Sequence, residues 1–167
     1  MRPVYTTSQF PSYSPFQYPG GKTWFIHWAF RWLDTFASPP HIIEPFAGGG
    51  SISLAAVLNG KASRATLIEL DPQVAVVWRV VFSDQAEQLA RMVYRFNPTL
   101  DTAQAVIASD PGDDIGRAFR TIVRNRLCFA GKLVHSNRSI RLTGKDKKHA
   151  DLRELFNAPK RARQIKV

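Results

Sequence analysis

His41-Ile42-Ile43-Glu44-Pro45-Phe46-Ala47-Gly48-Gly49-Gly50-Ser51 is a short β-rich run that empties into three consecutive glycines. Ser51 to Leu58 then reads as a helix, and Asn59-Gly60 supplies its C-terminal stop. Ala65-Thr66-Leu67-Ile68-Glu69 is a second strand. Asp71-Pro72 opens a further helix, with a capping residue ahead of proline at the first helical position. Strand, glycine turn, helix, strand, helix is the beginning of a parallel, doubly wound α/β sheet. The expected fold is therefore α/β and Rossmann-like.

Before this unit, Pro3, Pro11, Pro15 and Pro19 alternate with Tyr5, Phe10, Tyr13, Phe16 and Tyr18. That proline density forbids a helix and disfavours a central strand. Residues 1–15 are read as an extended arm whose aromatics dock on the domain near the arm's end. After Gly20-Gly21 the set Trp24, Phe25, Trp28, Trp32, Leu33 and Phe36 recurs at helical spacing. Trp24, Trp28 and Trp32 share one helical face and are assigned to the core. Beyond the second strand, Ser83 to Ala108 is helical with a break at Asn97-Pro98. A turn at 110–114 precedes a helix over 115–129, a basic loop or hairpin over 131–148 and a short helix over 150–156.

The chain has 167 residues, enough for one domain with a genuine core, and 44% of them are hydrophobic, which excludes a disordered polypeptide. The apolar run Val74–Trp78 is far too short to cross a bilayer, and the N-terminus shows no apolar signal segment. Cys128 is the only cysteine, so neither a disulfide framework nor a cysteine-based zinc cluster is expected. His27, His41, His135 and His149 lack metal-ligand spacing, and no metal is expected. These features predict a soluble, cytoplasmic protein without a membrane partner.

The net charge of +10 is unevenly placed. From Ile115 onward there are 15 Lys or Arg against 3 acidic residues, whereas the preceding part is slightly acidic. Such asymmetry favours a polyanion, through phosphate neutralisation and counterion release. A basic tail that only confers solubility is the alternative.

The glycine turn carries the chemistry. Its glycines let the backbone adopt positive φ and approach a ligand closely, and the following helix presents free N–H groups. Glu69 closes the next strand 21 positions after Gly48, where a carboxylate can accept bonds from ribose hydroxyls. Glu44, ahead of the glycines, discriminates between ligands. A dinucleotide would bring a pyrophosphate to this turn, where a carboxylate is unwelcome. S-adenosylmethionine brings a sulfonium and an ammonium, which a carboxylate attracts. A nicotinamide-dependent oxidoreductase stays open as an alternative, although Ser53 stands where its fingerprint has a third glycine or alanine.

Glu44-Pro45-Phe46-Ala47-Gly48-Gly49-Gly50-Ser51 resembles motif I of the Dam-type adenine-N6 DNA methyltransferases. Upstream, Phe16-Gln17-Tyr18-Pro19-Gly20-Gly21-Lys22 resembles the aromatic-Gly-Gly-Lys segment of that family, and Ile68-Glu69-Leu70-Asp71 resembles its acidic strand end. The resemblance implies a cofactor set of Tyr18, Gly21, Lys22, Glu44, Phe46, Gly48, Gly50 and Glu69 around S-adenosylmethionine. Arg124-Asn125-Arg126-Leu127-Cys128-Phe129-Ala130-Gly131 is similar to the segment that introduces the family's DNA-contacting region. It implies double-stranded DNA as partner, contacted by Arg124, Asn125, Arg126, Lys132, Arg138 and Arg141. In that frame residues 16–82 are the cofactor part, 83–148 a helical and basic DNA-recognition insert, and 149–167 the return to the catalytic part.

The family's catalytic tetrapeptide, Asp/Asn/Ser-Pro-Pro followed by Tyr/Phe/Trp, holds the exocyclic amine of a flipped adenine and stacks on its ring. Ser38-Pro39-Pro40-His41 has three of these residues, but it lies ahead of motif I and reads as a loop. No catalytic residue is therefore assigned. The expectation is a chain that stops before that motif and is inactive by itself. The alternatives are a non-catalytic module that binds cofactor or DNA, and half of a split enzyme completed by a second polypeptide.

Overall fold

The computed structural model of the protein describes residues 13–16 and 21–127. Strand β1, His41–Pro45, pairs in parallel with β2, Arg64–Ile68, in a register that sets Glu44 beside Leu67 and Pro45 beside Ile68. The described residues form an α/β structure with this two-stranded parallel sheet. Parallel strands need a crossover, and α2, Ser51–Leu58, supplies it. The glycine turn thus lies at the C-terminal end of both strands, where ligands bind in open α/β sheets.

Gly50 caps α2 in the left-handed conformation, at φ 59°. A Cβ there would lie 3.3 Å from Cζ2 of Trp78, so both backbone and space require glycine. Gly50→Ala is expected to lower stability by about 1–2 kcal/mol through left-handed strain and crowding. Urea denaturation would measure it, and an unchanged midpoint would contradict it.

Helix α1, Ile26–Leu33, follows a 3₁₀ turn over Lys22–Phe25. Its buried face is Ile26, Ala29, Phe30 and Leu33, and Ile26, Phe30 and Leu33 pack on Ala55, Ala56 and Ala62. The small alanines of α2 let the two helices approach. This places the tryptophans opposite to expectation: Trp24, Trp28 and Trp32 are 63%, 51% and 58% exposed. They belong to the outer face, where Trp28, Trp32, Phe25 and Phe36 line an open groove of about 600 Å³ beside β1.

Helix α3, Pro72–Val81, begins as its sequence predicts, the Asp71 carboxylate accepting from the Gln73 amide at 2.8 Å. Helices α4, Ala86–Arg95, and α5, Leu100–Ala108, are separated by the Asn97-Pro98 break. Thr99 and Thr102 form a capping box that restarts the chain as α5. Helix α6, Asp114–Leu127, lies against α3. Ile115, Ala118 and Ile122 share one buried core with Val74, Val77 and Val81 of α3 and with Leu89 and Val93 of α4. Phe16 enters the same core. The basic segment 131–148 and the helix read over 150–156 lie outside the described residues. Among the described residues no helix is long and apolar enough to cross a membrane.

Candidate cofactor site

Glu44, next to last in β1, is a buried carboxylate. Its Oε2 accepts the Ser53 amide at 3.0 Å, in the first turn of α2. A negative charge there satisfies one of the helix's free N–H groups and meets the positive end of its dipole. The place a pyrophosphate would take at this helix N-terminus is thus already used by the protein's own carboxylate. The other oxygen, Oε1, is buried and receives no hydrogen bond from the described residues. Lys22 Nζ stands 3.9 Å from it and donates to the Phe46 carbonyl at 3.0 Å. A buried acceptor without a donor is costly, and such atoms concentrate at functional sites.

Across the turn, Glu69 fastens the loop. Its Oε2 accepts the Gly48 amide at 2.6 Å and its Oε1 accepts the Asp71 amide at 2.9 Å. Each carboxylate oxygen has capacity for a further bond. The Gly48 carbonyl accepts from Trp78 Nε1 at 2.8 Å, so one glycine is held at both its polar atoms. Gly48 has φ 51°, and the turn closes through the Gly50 amide donating to the Ala47 carbonyl at 2.7 Å.

Phe46 is the one non-glycine at positive φ among the described residues, at 54°, and the residue is 76% exposed. An aromatic held in a left-handed conformation with its face to solvent costs about 1–3 kcal/mol, a signature of functional loops. Lys22, Glu44, Phe46, Gly48, Gly50 and Glu69 therefore converge on one turn, and Gly21 precedes the 3₁₀ turn that carries Lys22. They do not share a single cavity. Glu69 and Trp78 line a groove of about 400 Å³ beside β2, whereas Lys22 and Glu44 line the groove beside β1. Tyr18 lies outside the described residues, as do Lys132, Arg138 and Arg141.

The remaining three DNA candidates end α6. Arg124 is half-buried, while Asn125 and Arg126 are buried. Arg126, 9% exposed, sends Nε and one Nη to the Pro15 carbonyl at 3.0 and 2.6 Å. Burial pushes its pKa down to about 10, so the guanidinium stays a cation at neutral pH and both bonds are charge-assisted. Its side chain is committed to the N-terminal arm. The spacing held this signal: Asn125 and Arg126 continue the buried Ile115, Ala118, Ile122 face at helical intervals. Trp78 was not singled out from sequence, because nothing local tells a core tryptophan from one whose N–H reaches a loop 30 residues away.

Among the described residues no cluster of three His, Cys, Asp or Glu side chains could hold a metal. No curated protein matches the chain. The family model for D12 class N6 adenine-specific DNA methyltransferase matches residues 18–166, a span that contains the glycine turn, both acidic strand ends and helix α6. The chain belongs to the D12 class N6 adenine-specific DNA methyltransferases, enzymes that methylate adenine in DNA.

Proposed function

We propose that the turn between β1 and α2, with Lys22 and Glu69 beside it, binds S-adenosylmethionine for methylation of adenine N6 in DNA. The observation that carries this reading is Glu44 Oε1, buried and without a hydrogen-bond donor among the described residues, next to the Lys22 ammonium. A cofactor with an amino-acid tail supplies the missing donor in its ammonium and offers its carboxylate to Lys22. The sulfonium of that cofactor is what makes its methyl group transferable. Glu69 keeps acceptor capacity for ribose hydroxyls, and the exposed ring of Phe46 offers a face to the ligand. Gly48 and Gly50 keep side chains out of the approach, and Gly21 and Tyr18 complete the set.

Residues 16–82 form the cofactor part in this proposal, and the DNA-contacting part begins within 83–148. Support for the second assignment is the concentration of 15 basic residues from Ile115 onward. Arg124, Lys132, Arg138 and Arg141 are proposed to face DNA, whereas Asn125 and Arg126 serve the interior of the domain.

Calorimetric titration with S-adenosylmethionine and, separately, with NADH tests the assignment. Saturable binding of the first and none of the second is expected. Binding of NADH alone would replace the proposal with a nicotinamide site.

A further inference from the structure

Glycine-rich turns have many accessible peptide orientations, so something must choose one if the turn is to recognise a ligand. Here the choice at Gly48 is made by two side chains. Glu69 takes the amide, and Trp78 of α3 takes the carbonyl. The Trp78 ring also lies beneath Gly50, with Cζ2 3.3 Å from where a side chain would begin. It therefore touches both ends of the three-glycine run.

Trp78 is itself held. Phe16 meets its ring edge-on at 5.7 Å, and Phe82 stacks on it at 5.6 Å. Phe16 follows Pro15, whose carbonyl receives the two bonds from Arg126 at the end of α6. Among the described residues no carboxylate pairs with Arg126, and the partner they offer this buried cation is the Pro15 carbonyl. A chain of direct contacts then runs from α6 through Pro15, Phe16 and Trp78 to Gly48.

We propose that Trp78 is a positioning residue for the cofactor loop, and that Arg126 keeps it in place through Pro15 and Phe16. The end of α6 is then mechanically continuous with the turn that holds the cofactor. The proposal rests on reading that turn as the S-adenosylmethionine site.

Trp78→Phe keeps a ring against Phe16 and Phe82 but removes the N–H donor. Amide hydrogen exchange across 47–53, measured without ligand, is expected to quicken about tenfold, and affinity for S-adenosylmethionine to fall about tenfold. Val77→Ala, on the same helix and fully buried, serves as the comparison for general destabilisation. It should leave loop exchange and affinity near wild type at temperatures where both variants are folded. Equal effects from Val77→Ala, or wild-type loop exchange in Trp78→Phe, would overturn the assignment. Arg126→Lys, which cannot make the forked contact, should show the same changes in smaller degree, and unchanged exchange at 47–53 would overturn the link to α6. The exchange measurement needs no cofactor. Failure of the wild type to bind S-adenosylmethionine would therefore remove the cofactor reading while exchange still judges Trp78.

Discussion

Glu44→Gln is expected to weaken S-adenosylmethionine binding about 100-fold, the scale on which removing one member of a buried charge pair acts. The substitution is nearly isosteric. Its amide oxygen can still accept from the Ser53 N–H, so the start of α2 keeps its cap. What disappears is the negative charge at the buried oxygen to which no described residue donates. Thermal denaturation should therefore change little while calorimetric affinity collapses. Retained affinity would show that the carboxylate serves the helix alone, and a collapse of both would show that the variant fails to fold. Glu44→Ala separates the two roles further, since it also strips the Ser53 amide of its acceptor.

The second large effect is on stability. Trp78→Ala removes a buried indole that contacts Phe16 and Phe82 and leaves the Gly48 carbonyl without its donor. Large-to-small changes at buried aromatics cost about 3–5 kcal/mol. For a domain of this size, that corresponds to a fall in Tm of roughly 6–20 °C. Circular dichroism melting measures it directly. A fall of only a few degrees would mean that the arm and the loop carry the tryptophan's neighbours without it.

The sheet's opening unit was legible because each of its signals is local. Glycines at a strand end, a proline behind an aspartate and an Asn-Gly stop each constrain their own backbone. The same residues then placed Glu44 and Glu69 at adjacent strand ends through parallel pairing alone. Helix α1 was not legible in this way, because it is apolar on both sides. The tryptophans decided the reading, although Arg31 shares their side and Ile26, Ala29, Phe30 and Leu33 form a continuous apolar stripe. The flat alanines of α2 accept phenylalanine and branched aliphatics at close range, which leaves the indoles outside.

Charge misled in a different way. Arg126 belongs by residue type to the basic third that suggests DNA, yet helical spacing carries it inward. Its partner is a carbonyl 111 positions away, a contact no local pattern encodes. The site showed the same division. The acidic residues and glycines were visible one by one, but the Glu44 oxygen that accepts no hydrogen bond from the described residues exists only once α2 has claimed the other.

The double fastening of Gly48 has a thermodynamic meaning. A loop of glycines is usually the most expensive kind of backbone to immobilise around a ligand, since each residue surrenders the most freedom. Here that entropy is surrendered during folding, to a carboxylate on one side and an indole on the other. A ligand arriving at this turn finds the ordering already done, and more of its own contact energy is left to appear as affinity.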